Sequence, residues 1–187
     1  MKIAQCKLSS ISAYSMSKYH ETPRLDKEKH DDYDKRTWRM KCHVNADGNV
    51  IIPPIAFKFA IDRAAAMLRM RIPGKGQSEY GKHFKAGLLI TSEIVVAKSR
   101  DDLIGETFFM NANGKKGSGT KVMRTLPQVA KWSGTLEVYV LDEIITQDVF
   151  ERHLKEAGQL VGVGQFRPEN GGYCGRFKVD SVKWIDG

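Results

Sequence analysis

The dipeptide Pro53-Pro54 divides two hydrophobic periods, and that change constrains the fold more than any other feature. Before it, "VIIPP" reads as a short strand that stops at the prolines, because proline cannot donate to a sheet ladder. After it, Phe57, Ile61, Ala64, Ala65 and Leu68 recur at i, i+4, i+7, i+8 and i+11, a helical stripe with one buried face. Pro54 suits the first turn of that helix, where a missing N–H costs nothing.

A second helix is expected from Thr146, a cap residue, to about residue 160, with Val149, Phe150, Leu154 and Ala157 on one face. Strands are expected at 2–8 ("KIAQCKL"), in "LLITSEIVVA", in "GTLEVYVLD" and in the closing "YCGRFKVDSVKWI". "TWRMKCHV" alternates Trp38, Met40, Cys42 and Val44 against Arg39, Lys41 and His43, the pattern of a half-buried strand. "NADGN" then supplies a tight turn. Without its loops the order is βαββαβ: an α+β, ferredoxin-like (RRM-like) fold, an antiparallel sheet with two helices on one face and long inserted loops.

A single domain is expected over 1–187, with a mobile loop at 11–36, a glycine-rich basic loop at 73–86 and a basic loop insertion at 98–133. Three cysteines without a CxxC pair fit a reducing, cytoplasmic compartment, and no apolar run reaches membrane-span length.

The formal charge of +8 is local rather than spread. From Thr107 to Leu136 there is no acid, while Lys115, Lys116, Lys121, Arg124 and Lys131 are basic. Residues 11–36, by contrast, carry six acids and six Lys/Arg, which cancel. Lys115, Lys116, Lys121 and Arg124 lie among glycines that let a backbone approach phosphate closely. "GKGQSEYGKHFK" adds Lys75, Lys82, His83 and Lys85, with Tyr80 and Phe84 as candidate base-stacking rings. Its "GQSEYGKH" nearly matches the phosphate loop G-x4-G-K-[ST]. A helix precedes it, a strand follows it and His83 replaces the hydroxyl, so a flexible basic loop is the better reading.

Histidines and acids at His20, Glu21, His30, Asp31, Asp32 and Asp34 match no standard ligand spacing, so neither metal nor cofactor is expected. Cys42 and His43, adjacent on a strand, would point to opposite faces. No Ser-His-Asp or Cys-His arrangement is apparent, which places binding ahead of catalysis.

Residues 158–179, "GQLVGVGQFRPENGGYCGRFKV", hold six glycines between the second helix and the last strand. They serve either a tight crossover or a backbone-contacting loop in which Phe166 or Tyr173 stacks and Arg167 and Arg176 hold phosphate. "GVGQFRPENGGYCGRFKV" resembles the glycine-rich loop of the RAMP superfamily, the ferredoxin-like RNA-binding proteins of CRISPR effector complexes. "GNVIIPPIAFKFAIDRAA" is similar to the segment leading into the first helix of its backbone subunits. The ending also resembles phage-encoded proteins of unassigned role. The resemblance implies a loop that touches the RNA backbone, while the catalytic histidine arrangement of that superfamily's nucleases is not matched.

The expected function is non-enzymatic binding of single-stranded DNA or RNA by a phage or mobile-element protein that oligomerises along the strand. The alternatives are a RAMP-type nuclease using His20, His30 or His43, and a module that docks on or mimics a nucleoprotein complex.

Overall fold

A computed structural model describes residues 1–111 and 119–186. Its centre is a four-stranded sheet of β1 (Lys2–Ser10), β4 (Leu88–Ile90), β8 (Ser133–Val140) and β9 (Phe177–Asp186), in the order β4-β8-β1-β9. Every neighbouring pair is antiparallel. Helix α2 (Pro54–Leu68) joins β1's half of the chain to β4, and α4 (Gln147–Glu156) joins β8 to β9. The expected ferredoxin-like order therefore stands.

Alternation decides which sheet face is covered. Ala4, Cys6 and Leu8 of β1 and Leu136, Val138 and Val140 of β8 are buried, and they join Phe57, Ala60, Ile61, Ala64, Phe150 and Leu154 in one core. Each large apolar side chain so buried contributes roughly 1.5–3 kcal/mol. Burial also pushes the Cys6 thiol up to about 12, so it serves as packing rather than chemistry. Thr146 holds the cap position of α4 with extended backbone, but its hydroxyl makes no cap bond.

Four segments differ from expectation. The stretch at 38–44 is not a strand. Helix α1 (His30–Thr37) runs into a 3-10 turn at Trp38–Lys41, and the alternation is inverted there: Met40 is 40% exposed while Lys41 is 7% exposed. The cause is Asp34, 2% exposed, which draws the Lys41 ammonium inward. The 11–36 segment also holds β2 (Tyr14–Ser15), paired with β7 (Lys121–Val129).

Within 73–86 the chain turns at 73–78, and α3 (Gly81–Gly87) follows. "LLITSEIVVA" divides at Thr91–Glu93 into β4 and β5 (Ile94–Ala97). The latter pairs with β3 (Val50–Ile52) in a separate ribbon. Ser92 marks the break, its hydroxyl accepting from the Glu137 N–H at 2.8 Å.

The fourth difference is the largest. The 98–133 stretch is not a loop but an antiparallel hairpin of β6 (Ile104–Asn111) and β7, in register from Ile104↔Gln128 to Asn111↔Lys121. Residues 112–118, with Lys115 and Lys116 among them, lie outside the described residues. No helix among the described residues is long and apolar enough to cross a membrane.

Candidate nucleic-acid interface

The glycine-rich segment leaves α4 through one wide helical turn at Ala157–Val161 and reaches β9 as a folded loop. Val163 N–H donates to Gly175 O at 2.9 Å, Gly175 N–H to Ala13 O at 2.7 Å and Gln165 N–H to Ser15 O at 2.8 Å. These crossings leave no room for side chains at two positions. At Gly164 (φ +83°) a Cβ would sit 2.1 Å from Ser15 O, and at Gly175 (φ +79°) 1.8 Å from Val163 O. The tight-crossover reading of the glycines is thus the structural fact, and the loop it makes is tied to the chain at Ala13 and Ser15.

Phe166 is held in the left-handed region at φ 52°, a conformation that costs a bulky residue about 1–2 kcal/mol. What holds it is an aromatic cluster. Its ring lies 4.9 Å from Phe108 of β6 and 5.4 Å from Tyr173, which is 50% exposed. Cys174 and Leu126 close the base of this cluster. Two segments singled out separately in the sequence, the glycine-rich loop and the acid-free stretch, therefore meet. Phe108 was the missed residue that joins them.

The hairpin is pinned from its other side by a buried ion-pair network. Lys41 Nζ donates to Asp34 Oδ1 at 2.5 Å and to Thr125 O at 2.8 Å, while Asp34 Oδ2 accepts from the Thr125 N–H. Arg124 Nη1 stands 3.7 Å from the same carboxylate. Arg124 is thus partly tethered, and Asp34 is committed to cations of the chain rather than to a metal. Lys121 is exposed, with its Nζ 5.5 Å from the centre of the Phe109 ring, itself 63% exposed. Cation and ring face solvent together on the outer part of the hairpin.

A cleft of about 410 Å³ opens between the glycine-rich loop and the first half of α2. Ile55, Phe59, Val161 and Val163 give it apolar walls, and His43, Arg63 and Arg167 give it polar ones. Glu169 lies between the two arginines. It accepts from Arg63 Nε and from Arg167 Nε, the latter at 3.2 Å. Arg167 Nη1 also donates to Gly164 O at 3.0 Å, and Arg176 Nε to Gln159 O at 3.2 Å, so both arginines brace the loop. Burial and the charge of Lys18 hold His43 below the usual histidine range. The Arg63–Glu169 pair had no sequence signal, since 106 positions separate its members.

The basic segment at 73–86 lies elsewhere. Leu141 N–H donates to Gly87 O at 2.8 Å, and Leu88, Val140 and Lys2 share one end of the sheet. The glycine-rich loop bonds to Ile11 and Ala13 beyond the other end of β1. Eight residue steps of β1 separate them by roughly 26 Å. The basic segment at 73–86 and the glycine-rich loop therefore do not contact one phosphate.

Tyr80 is 4% exposed and Phe84 fully buried; both pack on the buried His153, so neither ring is free to stack on a base. His83 is bonded to Asp142 at 2.7 Å, which holds that carboxyl below its usual range. Lys75, Lys82 and Lys85 remain exposed. Among the described residues no group of His, Cys, Asp and Glu has the arrangement to hold a metal ion.

No family model and no curated protein sequence matches the chain. Solved structures do. A chain in the Type III-B Cmr-beta bound to cognate target RNA matches with a TM-score of 0.50 at 14% identity, over 99% of this chain and 61% of that one. The chain thus spans about three fifths of that protein's length. Cmr6 from Pyrococcus furiosus matches with a TM-score of 0.50 at 12% identity, over 96% of this chain and 99% of that one. At such identities the likeness is one of fold.

Proposed function

We propose that the protein binds single-stranded nucleic acid without cleaving it, on the surface where the glycine-rich loop meets the β6–β7 hairpin. The observation that carries this is the Phe108–Phe166–Tyr173 cluster. It sets a half-exposed ring and the loop braced by Arg167 and Arg176 beside the hairpin face that bears Arg124, while Lys121 and Phe109 lie on the hairpin's opposite face, toward its outer end. Rings interleaved with cations suit unstacked bases and a phosphate backbone better than a duplex. The likeness to a chain of an RNA-bound assembly supports the same reading and work inside a nucleoprotein complex; oligomerisation along the strand is a further part of the proposal. The buried free thiols Cys6, Cys42 and Cys174 fit a reducing, cytoplasmic setting.

Fluorescence anisotropy with single-stranded oligonucleotides tests this. Tyr173→Ala is expected to weaken binding about tenfold, in line with loss of one stacked base. Lys121→Glu is expected to weaken it and to reduce the salt slope by roughly 0.7 for the phosphate contact it loses. Affinity unchanged in both variants would overturn the assignment of this surface. Cleavage of the oligonucleotide that disappears in His43→Ala would favour the nuclease alternative, since His43 lines the adjacent cleft.

A further inference from the structure

The sheet face opposite the helices carries an ordered pattern of its own. Strand register places Leu89, Tyr139, Ile3 and Ile185 in one row across all four strands. With strands about 4.8 Å apart, the row spans roughly 14 Å. Leu89 is 48% exposed, and the other three are half-buried, as on a sheet face open to solvent. The next row is Glu137, Gln5 and Lys183, and the third is Thr135, Lys7 and Ser181.

The Tyr139 hydroxyl donates to Glu137 Oε1 at 2.7 Å. These residues are two apart on one strand, so that bond requires the ring to lean along β8 rather than stand away from the sheet. The ring is held down with one face outward. Lys7 of β1 and Lys183 of β9 are exposed in the two polar rows, both on the same side of Tyr139, and Lys178 is neutralised by Asp180 at 3.2 Å. The only carboxylate in the two polar rows, Glu137, is occupied by the phenol.

We propose that this face is a second platform for single-stranded nucleic acid, on which a base stacks on Tyr139, Gln5 meets base edges, and Lys7 and Lys183 meet phosphates. A docked protein fits less well. Interface cores are depleted of lysine and glutamate, whereas here the apolar surface is one row wide with lysines beside it.

The proposal rests on the nucleic-acid binding proposed above, and one set of variants separates the two. The probe is a labelled single-stranded RNA of roughly 15 nucleotides, near the length one such domain covers, with its DNA counterpart. Tyr139→Ala is expected to weaken binding about fivefold or more, and Tyr139→Phe, which keeps the ring, to stay within about threefold of the wild type. Lys7→Glu combined with Lys183→Glu is expected to lower the salt slope by about 1.4. Photo-cross-linking followed by peptide mapping should place nucleic acid on the peptide containing Tyr139. Thermal unfolding of each variant confirms that the solvent-facing substitutions leave the fold intact.

Wild-type binding that falls with Tyr173→Ala but not with Tyr139→Ala, with no cross-link on β8, overturns this platform and leaves the first surface standing. No binding by the wild type overturns both. A dimer that dissociates in Ile185→Lys, with RNA affinity unchanged, assigns the face to self-association and also overturns it.

Discussion

Replacing Asp34 with alanine is the sharpest structural test, because the consequence follows from the three contacts of its carboxylate, with Lys41, the Thr125 N–H and Arg124. Asp34 and Lys41 are 2% and 7% exposed, and the lysine Nζ lies 2.5 Å from the carboxylate and 2.8 Å from Thr125 O. Removing the carboxylate leaves the ammonium buried with one carbonyl, the Thr125 N–H without its acceptor, and Arg124 without its partner. Breaking a buried pair in this way costs about 3–5 kcal/mol.

Urea unfolding reads that loss as a drop in midpoint at constant slope. Hydrogen exchange should place the early opening at β7, whose Thr125 is the anchor. The pair as a whole is worth less than its rupture, so Asp34→Leu with Lys41→Met should be clearly more stable than Asp34→Ala. A loss under about 1 kcal/mol in Asp34→Ala, or a double variant no better than the single, would refute the claim that this network pins the hairpin.

Three further outcomes are expected. Gly175→Ala places a Cβ 1.8 Å from Val163 O at φ +79°, so it should destabilise by at least about 2 kcal/mol or prevent folding, read by thermal unfolding. His153 is fully buried with Nε2 unpartnered, and burial lowers its pKa below 6.5. The folded state therefore prefers neutral imidazole, and its contribution is intact above pH 6.5 and lost as pH falls through the depressed value. Stability of His153→Leu should depend less on pH below that point than the wild type's, as measured by denaturant unfolding across pH. Finally, Arg63→Ala releases Glu169 beside Arg167, leaving an extra negative charge at the cleft; nucleic-acid affinity should fall further than the loss of one phosphate contact alone implies, and Arg63→Ala with Glu169→Ala should recover part of it.

The elements legible in the sequence are those whose side chains keep one period against one core. β1, β8, α2 and α4 bury alternate or helically spaced apolar residues, and their order is enough to give the ferredoxin-like sheet. Where charge is buried, the pattern misleads. Lys41 faces inward because Asp34 and Thr125 receive it, so an apolar alternation at 38–44 coincides with a helical turn instead of a strand. The β6–β7 hairpin was hidden for a different reason. Phe109 and Met123, paired across it, are both exposed, and Phe108 is the one buried residue of β6, paired with Arg124, so no apolar alternation signals a strand.

In the site, Arg167, Tyr173 and Arg176 were legible as a cationic and aromatic cluster within one short segment. Phe108 and the Arg63–Glu169 pair were not, because only the folded chain brings them to the loop. Tyr80 and Phe84 show the converse: rings among lysines that the fold uses as core around His153.

The central claim is single-stranded nucleic-acid binding at the loop-and-hairpin surface, and a salt titration of oligonucleotide affinity tests it most directly. The prediction is binding tighter than micromolar at about 50 mM salt, with log Kd linear in log salt and the slope reduced by roughly 0.7 in Lys121→Glu. Micromolar or weaker binding at that salt, with the same slope in wild type and variant, would contradict it.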